Sequence, residues 1–218
     1  MDSKIYTFEL PTEKDENVKL SEFSPVNYEV EVSVRQWTKK EAVVIIVWKW
    51  WTVQGYMNKY GTITNNIAEK HSVNVFVVEN PWISWDNPEL FFDCAIKFVD
   101  KKMHEFWFDD YYISAMWFSA WWHFLWRFAY KYPVIKQILL VNPVLRVNFT
   151  KLKDALNEFT WKIRIIQWDK DVDFFYNPLL KQIPRAKVYT LDWVDHQFSN
   201  EWWLEMFIWL PDKYLFDK

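Results

Sequence analysis

Short apolar runs alternate with amphipathic stretches along most of the chain, and this alternation predicts a sheet covered by helices. We predict strands at 5–10, 28–36, 42–47, 73–79, 111–116, 135–142, 162–167 and 186–191. Helical patterns lie between all but the first three strands, at 54–70, 87–104, 119–131, 150–159, 174–182 and 200–209. Uninterrupted apolar runs such as AVVIIV and QILLV are typical of parallel strands that are buried on both faces.

The order of these elements predicts the fold class. Two or three strands followed by regular β-α alternation predict an α/β fold, with a mostly parallel central sheet of about eight strands and helices on both faces. No repeat, low-complexity tract or linker interrupts the pattern, so we expect one domain over residues 1–218. In sheets of this kind, ligands bind at the carboxyl ends of the strands, and the candidate chemistry is therefore sought there.

The tryptophans stand where glycine is usually found. The chain has two glycines and seventeen tryptophans, and reading the tryptophans as glycine would bring glycine near its usual share of about 7%. Several follow the apolar runs directly or lie between strands, namely Trp37, Trp48, Trp50, Trp51, Trp82, Trp85, Trp168 and Trp193. Glycine alone takes a positive φ at such turns without steric cost. We hypothesise that most of them stand for glycine, through substitution or through a UGA codon read with the wrong table.

The alternative interpretation of this composition is a protein that is naturally rich in tryptophan. Such a protein would use exposed aromatic faces to bind carbohydrate. That interpretation requires several tryptophans on one exposed face of the molecule.

Charge and cysteine content exclude some function classes. The net charge is −3 with scattered Lys and Arg, which argues against nucleic-acid binding because that needs a basic face. The single cysteine, Cys94, cannot form an internal disulfide, and the polar first residues do not resemble a secretion signal, so we expect a cytoplasmic protein. His123 and Arg127 interrupt the one aromatic stretch long enough to cross a membrane, so no membrane span is expected. No Cys/His spacing indicates a metal, and no cofactor is expected.

The stretch W-F-S-A-W at 117–121 carries the candidate chemistry. Ser119 stands between a predicted strand and a predicted helix. With glycine at 117 and 121 the stretch becomes G-F-S-A-G, which has the G-x-S-x-G pattern of a nucleophile elbow. On this motif the chain resembles the α/β-hydrolase superfamily from residue 28 onward. The longer run, GFSAGGHFLGRFA once glycine is restored, is most similar to small serine carboxylesterases.

The resemblance implies a catalytic triad in the order serine, acid, histidine. Ser119 would be the nucleophile, and Asp171 follows the strand KIRIIQ where the superfamily carries its acid, with Asp169 and Asp173 as alternatives. His196 follows the last predicted strand and would be the general base. The oxyanion hole would use the backbone N–H of Ala120 and, from the loop after AVVIIV, that of Trp50.

Each of these residues also has a structural interpretation. Ser119 is a plausible helix N-cap, Asp171 a cap for the helix beginning near Phe174, and His196 a solvated loop residue. The resemblance and the short connection between the sixth and seventh strands, which holds one helix and no sizeable lid, favour a small-molecule substrate. We therefore expect a serine hydrolase acting on short-chain carboxylic esters or thioesters. The alternative is a catalytically inactive binding protein of the same fold, because tryptophan at 117 and 121 would crowd the elbow. The oligomeric state stays open.

Overall fold

Eight strands form one sheet in the computed structural model, which describes residues 3–11, 27–47, 52–81, 87–120, 128–143, 149–171, 173–192 and 201–216. The strands are β1 (Lys4–Pro11), β2 (Asn27–Arg35), β3 (Glu41–Ile46), β4 (Asn74–Val78), β5 (Tyr112–Ala120), β6 (Ile135–Pro143), β7 (Lys162–Trp168) and β8 (Ala186–Leu191). Their order across the sheet is β1-β2-β4-β3-β5-β6-β7-β8. β2 pairs antiparallel with β1 and β4, and all other neighbours are parallel.

Helices cover both faces of this sheet. They are α1 (Lys59–His71), α2 (Pro88–Glu105), α3 (Phe149–Glu158), α4 (Asn177–Leu180) and α5 (Glu201–Leu215), with short 3-10 turns at 56–58, 129–131 and 174–176. The mostly parallel α/β fold predicted from the sequence is confirmed. α3 is the one helix between β6 and β7 among the described residues, as the short connection predicts.

The central strands alternate their side chains between two apolar cores. In β3, Ala42, Val44 and Ile46 join the core under α2 and α3, whereas Val43 and Ile45 join the core under α1 and α5. All five side chains are at most 2% exposed. This burial on both faces explains why the sequence of β3 lacks polar alternation.

β5 is longer than the sequence predicts. The prediction ended this strand at Met116 and began a helix at Ser119, but the strand continues to Ala120. The neighbouring strand β6 supports the extension, because Phe118 pairs with Val141 and Ala120 with Pro143. The predicted helix at 119–131 is therefore wrong at its first two residues, a 3-10 turn occupies 129–131, and residues 121–127 lie outside the described part of the chain.

Among the helices of the described segments, α2 is the longest, with 18 residues. None of these helices combines the length and the apolar character that crossing a bilayer requires.

Candidate active site

The candidate site lies where β5, β6 and β7 end at the same edge of the sheet. The register places Ser119 of β5 level with Asn142 of β6, since the flanking residues pair as Phe118 with Val141 and Ala120 with Pro143. β7 lies on the other side of β6, and the turn that carries Asp171 follows its last residue, Trp168. Ser119 at the end of β5 and Asp171 in the turn after β7 are therefore separated by one strand, β6.

Only part of the predicted triad falls within the described residues. Ser119 and Ala120 are placed by their backbone at the end of β5. His196, the predicted general base, and Trp50, the predicted oxyanion donor, lie outside the described residues, as does His123. The strand–turn–helix context of the elbow likewise stays a prediction, because residues 121–127 lie outside the described part of the chain.

Asp171 lies in a tight turn that follows β7. Its backbone N–H donates to the carbonyl of Trp168 at 3.2 Å, and its own carbonyl accepts from the N–H of Phe174 at 3.1 Å. The carboxylate oxygen Oδ1 accepts the N–H of Asp173 at 2.9 Å. This last bond satisfies a backbone donor close to the 3-10 turn that begins at Phe174, so the capping interpretation of Asp171 describes part of its role.

The second carboxylate oxygen of Asp171 accepts a hydrogen bond from a different strand. Nδ2 of Asn142 donates to Oδ2 of Asp171 at 2.7 Å. Asp171 is thus held by its own turn on one oxygen and by β6 on the other.

Asn142 was not among the residues predicted for the site. A usable signal was present, because the dipeptide Asn142-Pro143 ends the apolar run of β6, and Asn-Pro marks a turn. Asn142 has a φ of 50°, in the left-handed region that asparagine tolerates better than most residues. Its side chain is buried.

The two alternative acids occupy different surroundings. The N–H of Asp169 donates to the carbonyl of Leu191 at 3.1 Å, which ties the end of β7 to the end of β8. Asp173 is only 1% exposed and begins the 3-10 turn at Phe174. Asp171 is partly exposed at this edge, and its carboxylate is held both by Asn142 of β6 and by the N–H of Asp173. Of the three carboxylates, it is therefore the best positioned to reach a histidine.

A buried lysine that was not predicted from the sequence lies beside the end of β5. Lys59 begins α1 and is 2% exposed. Its Nζ lies 4.9 Å from the ring centroid of Phe118, the residue before Ser119, and 4.5 Å from that of Phe207. Burial lowers the pKa of Lys59 to about 7, so its charge changes close to neutral pH.

The backbone separates the tryptophans into two groups. Trp107 has a φ of 69°, almost the same as the 68° of Gly55, and is therefore in a conformation that favours glycine. Trp37, Trp117 and Trp168 do not have positive φ, so the expected left-handed turn is wrong at Trp37 and Trp168.

Trp117 and Trp168 lie inside β5 and β7 and are buried. The ring of Trp117 lies 5.9 Å from that of Phe92. Its indole N–H is buried, and no described residue accepts a hydrogen bond from it. A buried donor without an acceptor costs about 1–3 kcal/mol, so residue 117 is an unfavourable position for tryptophan for a reason other than φ.

No group of three or more His, Cys, Asp or Glu side chains in the described ranges could hold a metal ion. The side chains described at the site are carboxylates, an amide and one amine.

Comparison with solved structures identifies the fold. The esterase domain of a Rhodothermus marinus protein has a TM-score of 0.64 and 10% identity, over 94% of this chain and 95% of that one. Dienelactone hydrolase from Anabaena variabilis gives 0.67 and 9% identity, over 99% and 98%. An alpha-beta serine hydrolase homologue from Coxiella burnetii gives 0.63 and 14% identity, over 95% of each chain. No family model and no curated protein matches the sequence. The chain has the fold of the α/β hydrolases.

Proposed function

We propose that the chain is a serine hydrolase that cleaves short-chain carboxylic esters or thioesters through an acyl-enzyme intermediate. The observation that supports this proposal is that the carboxylate of Asp171 is hydrogen-bonded at the edge of the sheet where β5 ends, at residues 119 and 120. The named neighbours are esterases and hydrolases, which supports the general class.

The chemistry assigns one role to each residue. The Oγ of Ser119 would attack the acyl carbon while His196 accepts its proton, and His196 would then give that proton to the departing alkoxide or thiolate. Water would attack the acyl-enzyme by the same route in reverse, releasing the acid and restoring Ser119. Asp171 would hold the imidazole in the correct tautomer and stabilise its charged form.

The developing oxyanion needs two donors that are already in place. The backbone N–H of Ala120 would supply one, and the backbone N–H of Trp50 the other. Each such donor is worth about 2.7–4 kcal/mol of transition-state stabilisation.

A second candidate function follows from one observation, the tryptophan at 117. A bulky side chain two residues before the nucleophile conflicts with the small residue that an elbow needs, which favours a binding protein without catalysis. The carbohydrate-binding alternative has less support. Of the exposed tryptophans in the described segments, Trp107 follows α2, Trp161 precedes β7 and Trp209 lies on α5, and α2 and α5 cover opposite faces of the sheet.

The test is hydrolysis of p-nitrophenyl acetate together with labelling by a fluorophosphonate. Both should be measured in the chain as it stands and in the double variant Trp117→Gly/Trp121→Gly. We expect the double variant to be labelled and active, and Ser119→Ala in that background to lose turnover by about 10³-fold or more. The matched control is Ser33→Ala in β2, which should change neither result.

Two results would decide against the proposal. Equal turnover of the Ser119→Ala and Ser33→Ala variants would remove Ser119 from the mechanism. A folded double variant that is neither labelled nor active would support the binding-protein alternative.

A further inference from the structure

We propose that Asn142 is a positioning residue, which orients the carboxylate of Asp171 from the neighbouring strand. This inference rests on the proposed function, in which Asp171 is the acid of the triad. It assigns to β6, which carries no residue of the predicted triad, a part in the organisation of the site.

The side-chain amide of Asn142 is fixed at both ends. Its Oδ1 accepts the backbone N–H of Trp168 at 3.3 Å, and its Nδ2 donates to Oδ2 of Asp171 at 2.7 Å. The two bonds define the orientation of the amide, because a flipped amide would place its oxygen against a carboxylate and its NH₂ against an N–H. Since both partners belong to β7 or the turn after it, Asn142 fastens that turn to β6.

The conformation of Asn142 explains why this residue type suits the position. Its φ of 50° is strained for most side chains, but asparagine, aspartate and glycine accept it. Of these three, aspartate would bring a second negative charge against Asp171, and glycine would offer no donor. Asparagine alone satisfies the backbone and also donates to the carboxylate.

The position of Asn142 in the sheet explains how its hydrogen bond to Asp171 can orient the carboxylate. It stands level with Ser119 on the adjacent strand and is 2% exposed, so it holds Asp171 from the side that faces the nucleophile strand. The N–H of Asp173 holds the other oxygen. Because Asn142 and the N–H of Asp173 contact different oxygens, they orient the carboxylate plane before an imidazole reaches it, and this reduces the reorganisation needed during the reaction.

Two substitutions at Asn142 separate the effect of its side chain from that of its backbone conformation. Asn142→Gly keeps the left-handed backbone and removes the amide, whereas Asn142→Asp keeps shape and size but replaces the donor with a charge. The matched control is Ser72→Gly, because Ser72 has a φ of 58° at the end of α1, before β4 begins at the opposite edge of the sheet. All variants should be made in the chain as it stands and in the Trp117→Gly/Trp121→Gly background, with circular dichroism to confirm folding.

We expect Asn142→Gly to lower kcat for p-nitrophenyl acetate by about 10–100-fold, with KM changed by less than about twofold, since misplacing a reacting group by about 1 Å costs about that much. Asn142→Asp should lower kcat further. Ser72→Gly should match the parent. In an Asp171→Ala background, Asn142→Gly should have no additional effect, because the residue acts through Asp171.

The outcomes distinguish this inference from the proposed function. If Asp171→Ala lowers turnover strongly but measurably while Asn142→Gly and Asn142→Asp match Ser72→Gly, the positioning role is wrong and the triad stands. If Asn142→Gly lowers kcat equally with and without Asp171, the role is only structural and the inference is also wrong. If Asp171→Ala leaves turnover unchanged, or if neither background hydrolyses the ester, the proposed acid and this inference fall together.

Discussion

Lys59 shows how a single residue can make the stability of the fold depend on pH. Lysine usually keeps its ammonium in water, but Lys59 is 2% exposed, and its Nζ lies within 5.1 Å of the centroids of three aromatic rings. Burial lowers its pKa to about 7 from an ordinary 10.5. Nothing in the sequence around Lys59 distinguishes it from a surface lysine, since its burial depends on Phe118 and Phe207, which are distant along the chain.

The depressed pKa fixes the direction of the pH effect. Below pH 7 the folded and unfolded states both carry the charge, and the full cost of burying it is present. Between pH 7 and 10.5 the unfolded state holds a proton that the folded state has lost, so stability rises with pH. The free energy of unfolding should therefore increase from pH 7 to 9 by up to about 1.4 kcal/mol per pH unit from this group.

Lys59→Met tests this expectation, because methionine has a similar length and no charge. We expect the variant to be more stable than the parent at pH 7 and to lose the rise between pH 7 and 9, as measured by urea unfolding at both pH values. Lys181→Met, at an exposed position after α4, is the control and should keep the rise. Parallel pH curves for the parent and Lys59→Met would show that Lys59 keeps an ordinary pKa.

At the scale of one element, the end of α2 has a tryptophan at a left-handed position that is usually occupied by glycine. The N–H of Trp107 donates to the carbonyl of His104 at 2.9 Å, and the N–H of Phe108 donates to that of Met103 at 3.0 Å. This pair of bonds is the Schellman motif, whose central residue is left-handed and usually glycine. Trp107 occupies that position with a φ of 69° and is 91% exposed, so its ring gains little from packing.

Trp107→Gly should therefore stabilise the chain by about 1 kcal/mol, because it removes a left-handed conformation that side chains disfavour. The matched control is Trp209→Gly in the middle of α5, where the side chain is half exposed but the backbone is helical. Glycine there should destabilise by about 0.5–1 kcal/mol. Thermal and urea unfolding of both variants would check the opposite signs. Destabilisation by both substitutions would contradict the glycine hypothesis at position 107.

The predicted bounds of strands and helices agree with the structure where a local sequence pattern determines them. All eight strands were predicted, because strands buried on both faces leave apolar runs such as that of β3. The start of α1 was predicted too early, since Met57 and Asn58 are left-handed and interrupt the helical pattern before Lys59. β5 was predicted too short, because its last residues are held by pairing with β6 rather than by any pattern of their own.

At the scale of the whole molecule, the sequence could predict the edge of the site but not its internal contacts. Ser119 lies at the carboxyl end of β5 and Asp171 follows that of β7, and the carboxyl ends of parallel strands lie at one edge, so their place at the same edge follows from the fold class. The bond between Asn142 and Asp171 joins residues 29 apart and depends on the order of β6 and β7 in the sheet. That order is a property of the packed structure, and no local pattern encodes it.

The amino ends of β3, β5 and β6, which lie away from the candidate site, carry a buried polar network that joins several elements. Glu41 at the start of β3 is 8% exposed, and its carboxylate accepts the hydroxyl of Ser114 at 2.6 Å and that of Tyr112 at 2.8 Å. Burial, together with Glu41, raises the pKa of Tyr112 to about 12, which keeps its hydroxyl available as a donor. Nε2 of Gln137 donates to Ser114 at 2.7 Å and to the carbonyl of Leu215 in α5 at 3.1 Å. The network therefore fastens β3, β5 and β6 to the C-terminal helix.

Ser114 is the centre of this network, because its hydroxyl donates to Glu41 and accepts from Gln137. Ser114→Ala should lower the free energy of unfolding by about 1–3 kcal/mol, since it removes a donor from a buried carboxylate and an acceptor from a buried amide. Ser33→Ala in β2, where the serine is only half-buried, should change it by less than about 0.5 kcal/mol. Urea unfolding measures both free energies.

Because Ser114 lies at the amino ends of the strands, away from Asp171, Ser114→Ala should leave kcat for ester hydrolysis unchanged while it lowers stability. If Ser114→Ala lowered the free energy of unfolding no more than Ser33→Ala does, the network would not stabilise the amino ends of these strands.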